Sequence, residues 1–136
     1  MDIAQLKILL RIDEGEKLRP YKDSVGKITI GVGRNLDDVG ISKVESDFLL
    51  TNDIQKVQLD LNKEIPWWIL LSDNRQMVLA NMAFNMGIGG LLQFTHMLMA
   101  CKDSKFSEAA RQMLDSKWAA QVGQRAIRLA QLMERG

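Results

Sequence analysis

Between Ile65 and Ala100 the chain carries only two charged side chains, Asp73 and Arg75, whereas segments 1–33, 34–64 and 101–136 carry eleven each. A stretch so poor in charge has to be taken out of water, which predicts a central buried helix with charged segments around it. The balance of charge is +1 over 1–33, −3 over 34–64, 0 over 65–100 and +3 over 101–136. The net charge of +1 excludes a strong overall field that would steer the chain towards nucleic acid or an anionic membrane.

The rest of the composition narrows the class. A chain of 136 residues with 46% hydrophobic and 26% charged side chains can bury a core, which excludes an intrinsically disordered chain and predicts one compact domain. The single cysteine, Cys101, excludes an intramolecular disulfide, and the single histidine, His96, excludes zinc sites built on paired His or Cys ligands. No apolar run reaches the roughly 18 residues of a membrane span. Lys7, Arg11, Asp13 and Glu14 interrupt the N-terminal region where a secretion signal needs an apolar stretch, so none is expected.

Local patterns place the elements. Ile3, Leu6, Leu9, Leu10 and Ile12 recur at spacings of three and four, predicting an amphipathic helix from Asp2 to Asp13 that Gly15 stops. Tyr21 to Gly33 has turn residues in its middle and Ile28, Ile30 and Val32 alternating against Thr29, which reads as a β-hairpin and the only sheet. Ser42-Lys43-Val44-Glu45 is a capping box opening a helix of about twenty residues, about 30 Å long, that reaches Glu64 and joins two lobes. Ser72 or Asp73 caps a helix over Asn74–Met86 that Gly87 closes. Three shorter helices are expected at about 91–101, 107–115 and 123–134.

Candidate chemistry gathers in the first thirty residues: Glu14 at a helix end, Asp23 near a hairpin turn and Thr29 on the return strand. Each alone is ordinary surface, turn or strand chemistry. Together they supply two carboxylates and a hydroxyl at one concave edge, the groups that cleavage of a glycosidic bond requires. One carboxyl must stay protonated to release the leaving oxygen. The other must stay ionised, either to attack the anomeric carbon or to activate a water that a hydroxyl holds in place.

At these residues the sequence resembles the phage-type lysozymes of glycoside hydrolase family 24, whose catalytic Glu, Asp and Thr have the spacing of Glu14, Asp23 and Thr29. The words Arg11-Ile12-Asp13-Glu14-Gly15, Tyr21-Lys22-Asp23 and Thr29-Ile30-Gly31-Val32-Gly33 also match. So do Asn81-Met82-Ala83-Phe84-Asn85-Met86-Gly87, Phe94-Thr95, Glu108-Ala109-Ala110, Ser116-Lys117-Trp118 and Arg125-Ala126-Ile127-Arg128.

The resemblance implies an α+β, mostly helical, lysozyme-like two-lobed fold. Residues 14–64 would form a small β-hairpin lobe plus a long connecting helix, and 1–13 with 65–136 a helical lobe, within one domain over 1–136 and with the cleft between the lobes. It implies a muramidase that inverts configuration at the β-1,4 bond between N-acetylmuramic acid and N-acetylglucosamine, an outcome that calls for a carboxylate gap of roughly 6.5–9.5 Å. Glu14 would be the general acid, Asp23 the carboxylate on the opposite face of the sugar and Thr29 the holder of the water. Asn35, Phe84, Asn85, Met97, Gln112 and Arg125 fall at substrate-binding positions, with Arg125 facing the catalytic Glu. No cofactor and no metal is implied, and the expected partner is bacterial peptidoglycan, bound by a monomer without nucleic acid or membrane insertion. An endolysin of this type is made in the bacterial cytoplasm and reaches the wall after holin-dependent release.

Two departures carry expectations of their own. Arg34 stands where well-known relatives have a histidine paired with an aspartate on the long helix, and Asp53 falls at that aspartate's place, so an Arg34–Asp53 ion pair is expected. The segment between Gly33 and Gly40 is shorter than in those relatives, which reduces the small lobe. The rival readings are a lysozyme-fold module that binds peptidoglycan or protein without cutting it, and a helical nucleic-acid binder using the basic C-terminal segment. Intact Glu14, Asp23 and Thr29 argue against the first, and interleaved Asp103, Glu108 and Asp115 against the second.

Overall fold

The structure, a computed structural model, describes residues 1–136 as two compact units, Met1–Phe48 and Leu49–Gly136. The architecture is α+β and mostly helical, with one small antiparallel sheet in the first unit and a helical second unit, the lysozyme-like class that the sequence predicts.

In the first unit, helix α1 (Ile3–Glu14) starts where the Asp2 side chain accepts the Gln5 N–H at 3.0 Å and stops at Gly15, whose φ of 76° leaves the helical region. None of its residues is buried. Strands β1 (Lys17–Lys22), β2 (Ile28–Gly31) and β3 (Arg34–Asn35) then form a three-stranded sheet in the order β1-β2-β3. The expected hairpin is therefore present, but it starts earlier and gains a third strand. Tyr21 pairs with Thr29 and Lys22 with Ile28, while the register shifts between Lys17 and Tyr21. Pro20 lies in that irregular stretch of an edge strand, where its missing N–H costs no ladder bond.

The alternation on β2 runs opposite to its hydrophobicity: Thr29 is 3% exposed and Ile28 is 42% exposed. Burial of the hydroxyl is affordable because Thr29 Oγ1 donates to Lys27 O at 3.0 Å. The short segment after β3 is stapled back onto the sheet. Ile28 N–H donates to Asp37 Oδ2 at 2.8 Å, Leu36 N–H to Ile28 O at 2.7 Å and Lys27 Nζ to Asp38 Oδ1 at 3.2 Å.

Helix α2 (Lys43–Glu64) opens with the expected capping box, Glu45 N–H donating to Ser42 Oγ at 3.1 Å and Ser42 N–H to Glu45 Oε1 at 3.0 Å. Its 22 residues correspond to about 33 Å, and it ends at Ile65-Pro66. Of the apolar positions that mark it in sequence, Leu61 alone is buried, whereas Val44, Phe48 and Ile54 are exposed.

The second unit is built on α3 (Asp73–Leu92), preceded by a 3₁₀ turn over Pro66–Leu70 and capped by Ser72. Gly87 breaks α3 with φ 77° and ψ 161°, as expected from sequence. Val78, Leu79, Met82, Ala83 and Leu91 are buried on it, while Met77 and Phe84 are exposed, so one side of the helix stays in water. Both charges of the 65–100 stretch sit in its first turn. Asp73 faces the positive end of the helix, and Arg75 donates to Met133 O at 2.7 Å and Glu134 O at 3.0 Å, closing the last carbonyls of another helix.

Helices α4 (Thr95–Lys102), α5 (Phe106–Leu114), α6 (Lys117–Val122) and α7 (Gln124–Arg135) complete the core with Met97, Cys101, Met113, Trp118, Ala126 and Met133. The short α6 has no counterpart among the three helices expected after Gly87. Burial pushes the Cys101 thiol up to about 11, consistent with a core thiol. Trp68 is buried and donates to Asn62 Oδ1 at 2.7 Å, so it packs rather than offering a sugar platform. No single helix is long and apolar enough to cross a membrane.

Candidate active site

The three candidate catalytic residues belong to the first unit. Glu14 is the last residue of α1, and its carboxylate lies against Gly33: a β-carbon there would stand 3.3 Å from Glu14 Oε2. Gly33 also has φ +68°, so this position needs a glycine both for its backbone and for its neighbour. Glu14 is exposed, with no hydrogen bond or ion pair to its carboxylate.

Asp23 occupies the turn between β1 and β2 and is half-buried. Its Oδ1 accepts the Val25 N–H at 3.0 Å and the Lys27 N–H at 2.8 Å, which leaves Oδ2 without a protein partner. Thr29 follows on β2, between Tyr21 and Asn35 of the flanking strands. A single residue ties the two together: the Lys27 N–H holds Asp23 Oδ1, and the Lys27 carbonyl accepts the Thr29 hydroxyl. With its proton so directed, the Thr29 oxygen keeps lone pairs that can accept from a water.

The expected Arg34–Asp53 ion pair does not form. Arg34 Nη1 donates instead to Glu45 Oε1 at 3.0 Å and to Gly40 O at 3.2 Å. Glu45 lies in the first turn of α2, where the short loop after β3 delivers it to Arg34, and Asp53 is two turns further along, about 12 Å by helical rise. The Arg34 guanidinium and the Ser42 donors hold the Glu45 carboxyl down at about 2. Asn35 is occupied locally, its Nδ2 donating to Asp38 Oδ2 at 2.9 Å and its Oδ1 accepting the Asp38 N–H at 3.0 Å.

The remaining candidates lie in the second unit around two concavities. Phe84 and Arg125 line one of about 460 Å³ with Leu50, Ile54, Met77 and Asn81. Arg125 is oriented by Asn81, donating to its Oδ1 from Nε at 2.9 Å and from Nη2 at 2.8 Å. Met97 and Gln112 line another of about 280 Å³, beside Phe94 and Trp118, whose rings meet edge to face at 5.9 Å and 89°. Met97 is 1% exposed and contributes floor rather than rim. Asn85 accepts the Trp118 Nε1–H at 2.8 Å and so steadies that aromatic wall.

Sequence reasoning missed Glu45, Asn81 and the Phe94–Trp118 pair as parts of these sites. Asn81, Phe94 and Trp118 were present in the matching words, but nothing in their spacing showed which partner each would take. No group of three His, Cys, Asp or Glu side chains comes together to hold a metal ion.

The profile of the family described as Phage lysozyme matches residues 11–135, which takes in Glu14, Asp23, Thr29 and every other candidate above. The chain belongs to the phage lysozyme family. It is similar to probable T4-type lysozyme 2 of Dictyostelium discoideum, 31% identical with 98% of this chain and 96% of that protein covered. Probable T4-type lysozyme 1 of the same organism is 30% identical over the same shares. The pre-baseplate central spike protein Gp5 of Enterobacteria phage T4 is 32% identical over 94% of this chain but 27% of its own length. The alignment with the first of these runs over 163 positions against 136 residues here, so that lysozyme carries segments with no counterpart in this chain.

Proposed function

We propose that the chain hydrolyses the β-1,4 bond between N-acetylmuramic acid and N-acetylglucosamine with inversion at the anomeric carbon. Membership of the phage lysozyme family makes it a glycoside hydrolase of the lysozyme type, with peptidoglycan as substrate. In this reading Glu14 protonates the leaving oxygen while Asp23 takes a proton from a water held by Thr29. The water oxygen bonds to the anomeric carbon from the opposite face, the glycosidic bond breaks, and the cycle ends with Glu14 ionised and Asp23 protonated.

The observation that carries the reading is the pair of bonds at Lys27, whose N–H holds Asp23 Oδ1 and whose carbonyl takes the Thr29 proton, leaving Asp23 Oδ2 and the Thr29 lone pairs without a protein partner. Glu14 is exposed in the free protein, so its carboxyl is open to a saccharide laid against it. Asn35, Phe84, Asn85, Met97, Gln112 and Arg125 act as substrate-binding residues in the same scheme, and residues 1–136 act as one lysozyme domain. Its place of action is the bacterial wall, reached from the host cytoplasm after holin-dependent release.

Digestion of purified peptidoglycan by wild type, Glu14→Gln and Asp23→Asn tests this, with mass analysis of the soluble fragments and NMR of the first-formed anomer. Wild type releases fragments with new muramic-acid reducing ends in inverted configuration, and neither variant does. Fragments from Glu14→Gln at the wild-type rate remove Glu14 as the acid. Binding of the polymer by all three with no fragments from any makes the chain a binding module instead.

A further inference from the structure

Ile65-Pro66-Trp67-Trp68-Ile69-Leu70-Leu71 is an uninterrupted apolar run, and the 3₁₀ turn within it puts two of these side chains in water. Ile69 is 60% exposed and Leu70 83%, beside a half-buried Trp67. The core accounts for Ile65 and Trp68, which are buried, but not for the exposed pair. Adjacent exposed apolar side chains of this size mark a surface that is covered in use.

The backbone of the turn is closed on itself. Trp68 N–H donates to Ile65 O at 2.9 Å and Leu71 N–H to Trp68 O at 3.1 Å. Gln76 Nε2 donates to both Ile69 O at 3.1 Å and Leu71 O at 2.9 Å. Carbonyls paired in this way can leave water at little cost, which is the condition for seating backbone in an apolar layer.

Beside the turn lies a concavity of about 380 Å³, where Trp67, Leu70 and Leu71 share the lining with Arg75 and Lys102, and no carboxylate is among the lining residues. Lys102 is exposed and makes no ion pair. Arg75 is spent on one side, with Nε on Met133 O, Nη2 on Glu134 O and its guanidinium 3.4 Å above the Phe106 ring, which leaves the Nη1 donors. The remaining lining groups oppose no anion: the Ser72 and Ser104 hydroxyls have protons to give, and burial keeps the Cys101 thiol neutral. An apolar tip next to an unpaired ammonium and a guanidinium edge matches the order of groups in a phospholipid, acyl chain inside and phosphate outside.

We infer that this turn is a membrane-surface contact, with Ile69 and Leu70 entering the acyl boundary of one leaflet, Trp67 at headgroup level, and Lys102 with Arg75 on the phosphate of an anionic phospholipid. An indole has an apolar body and one N–H, the pattern favoured at that depth. The seating is shallow, without a span. Glu64 and Asp73 flank the run and the chain carries a net charge of only +1, so apolar burial leads and charge adds to it. The inference goes beyond the proposed function and uses none of its residues.

The test is co-sedimentation of the full chain with vesicles of phosphatidylglycerol and phosphatidylethanolamine, beside vesicles of phosphatidylcholine alone. Wild type binds the anionic vesicles, with a blue shift of tryptophan emission that Trp67→Phe removes. Ile69→Ser combined with Leu70→Ser weakens binding about tenfold or more, the scale of taking two side chains out of an apolar layer. Lys102→Gln weakens it about fivefold on anionic vesicles only, the scale of one cation near a charged surface. Ile69, Leu70 and Lys102 are exposed, so these variants keep the wild-type melting temperature and wild-type hydrolysis of purified, lipid-free peptidoglycan. Wild type that sediments with neither vesicle overturns the inference. So does binding that survives loss of Ile69 and Leu70 but is abolished by Arg128→Gln with Arg135→Gln, which would move the contact to α7. Dimerisation that the Ile69 and Leu70 substitutions abolish, without vesicle binding, gives the tip to a second copy and overturns the lipid reading. Failure of the hydrolytic reading shows separately, as wild type that binds vesicles yet releases no fragments from peptidoglycan.

Discussion

Gly33 shows how one residue can serve a backbone and a side chain together. At φ +68° an alanine costs about 1–2 kcal/mol, and its β-carbon would press on the Glu14 carboxylate at 3.3 Å. Gly33→Ala is therefore expected to lower unfolding free energy in urea by about that amount and to lower lytic activity further through the displaced acid. Thr29 allows the opposite separation. Thr29→Val keeps the volume and removes the hydroxyl, and the Lys27 carbonyl it served still accepts the Asp23 N–H at 2.9 Å. Stability should fall by less than about 1 kcal/mol, while peptidoglycan hydrolysis falls about a hundredfold if the hydroxyl positions the water. Loss of fold with activity in proportion would make Thr29 a structural residue only. The inward turn of Thr29 was not legible in sequence, because period-two alternation marks which residues share a face and not which face is buried.

The start of α2 is the element on which ion pairing and helix capping converge. Glu45 accepts from Ser42 and from Arg34, and its carboxyl sits below the ordinary range, at about 2 against 4.5. A depressed acid contributes stability that is fully present above pH 4.5 and lost as pH falls towards 2. Glu45→Gln should therefore be less stable than wild type near neutrality and converge with it in an acid denaturation series over that window. Asp53→Asn, on an exposed residue with no ion pair, should change stability by less than about 0.5 kcal/mol at any pH. A large loss in Asp53→Asn would restore the partner expected from the family pattern. The capping box itself was legible because Ser and Glu three apart act through local backbone geometry. The choice of Glu45 over Asp53 was not, since it depends on how the short loop from Arg34 to Ser42 folds back.

Across the whole molecule, stability is concentrated in the second unit, whose core joins α3, α4, α5 and α7 with buried Leu79, Met82, Met113 and Met133. Leu79→Ala, at a fully buried position, should lower unfolding free energy by about 2–5 kcal/mol. Leu18→Ala, at an exposed edge-strand position, should change it by less than about 0.5 kcal/mol. Comparable losses at both would mean that β1 is covered in solution.

By itself the sequence determined the mostly helical α+β class, the charge-poor helix broken at Gly87, the capping box of α2 and the order of Glu14, Asp23 and Thr29 along the chain. These follow from local rules, namely periodicity, cap geometry and the torsional freedom of glycine, which act over a few neighbouring residues. Only the tertiary structure decided that Arg34 pairs with Glu45, that Lys27 bridges Asp23 and Thr29, and that Arg75 closes the end of α7. Those outcomes are choices among several side chains of suitable chemistry. The choice belongs to whichever partner the folded backbone brings within about 3 Å, a distance that no spacing in the sequence encodes.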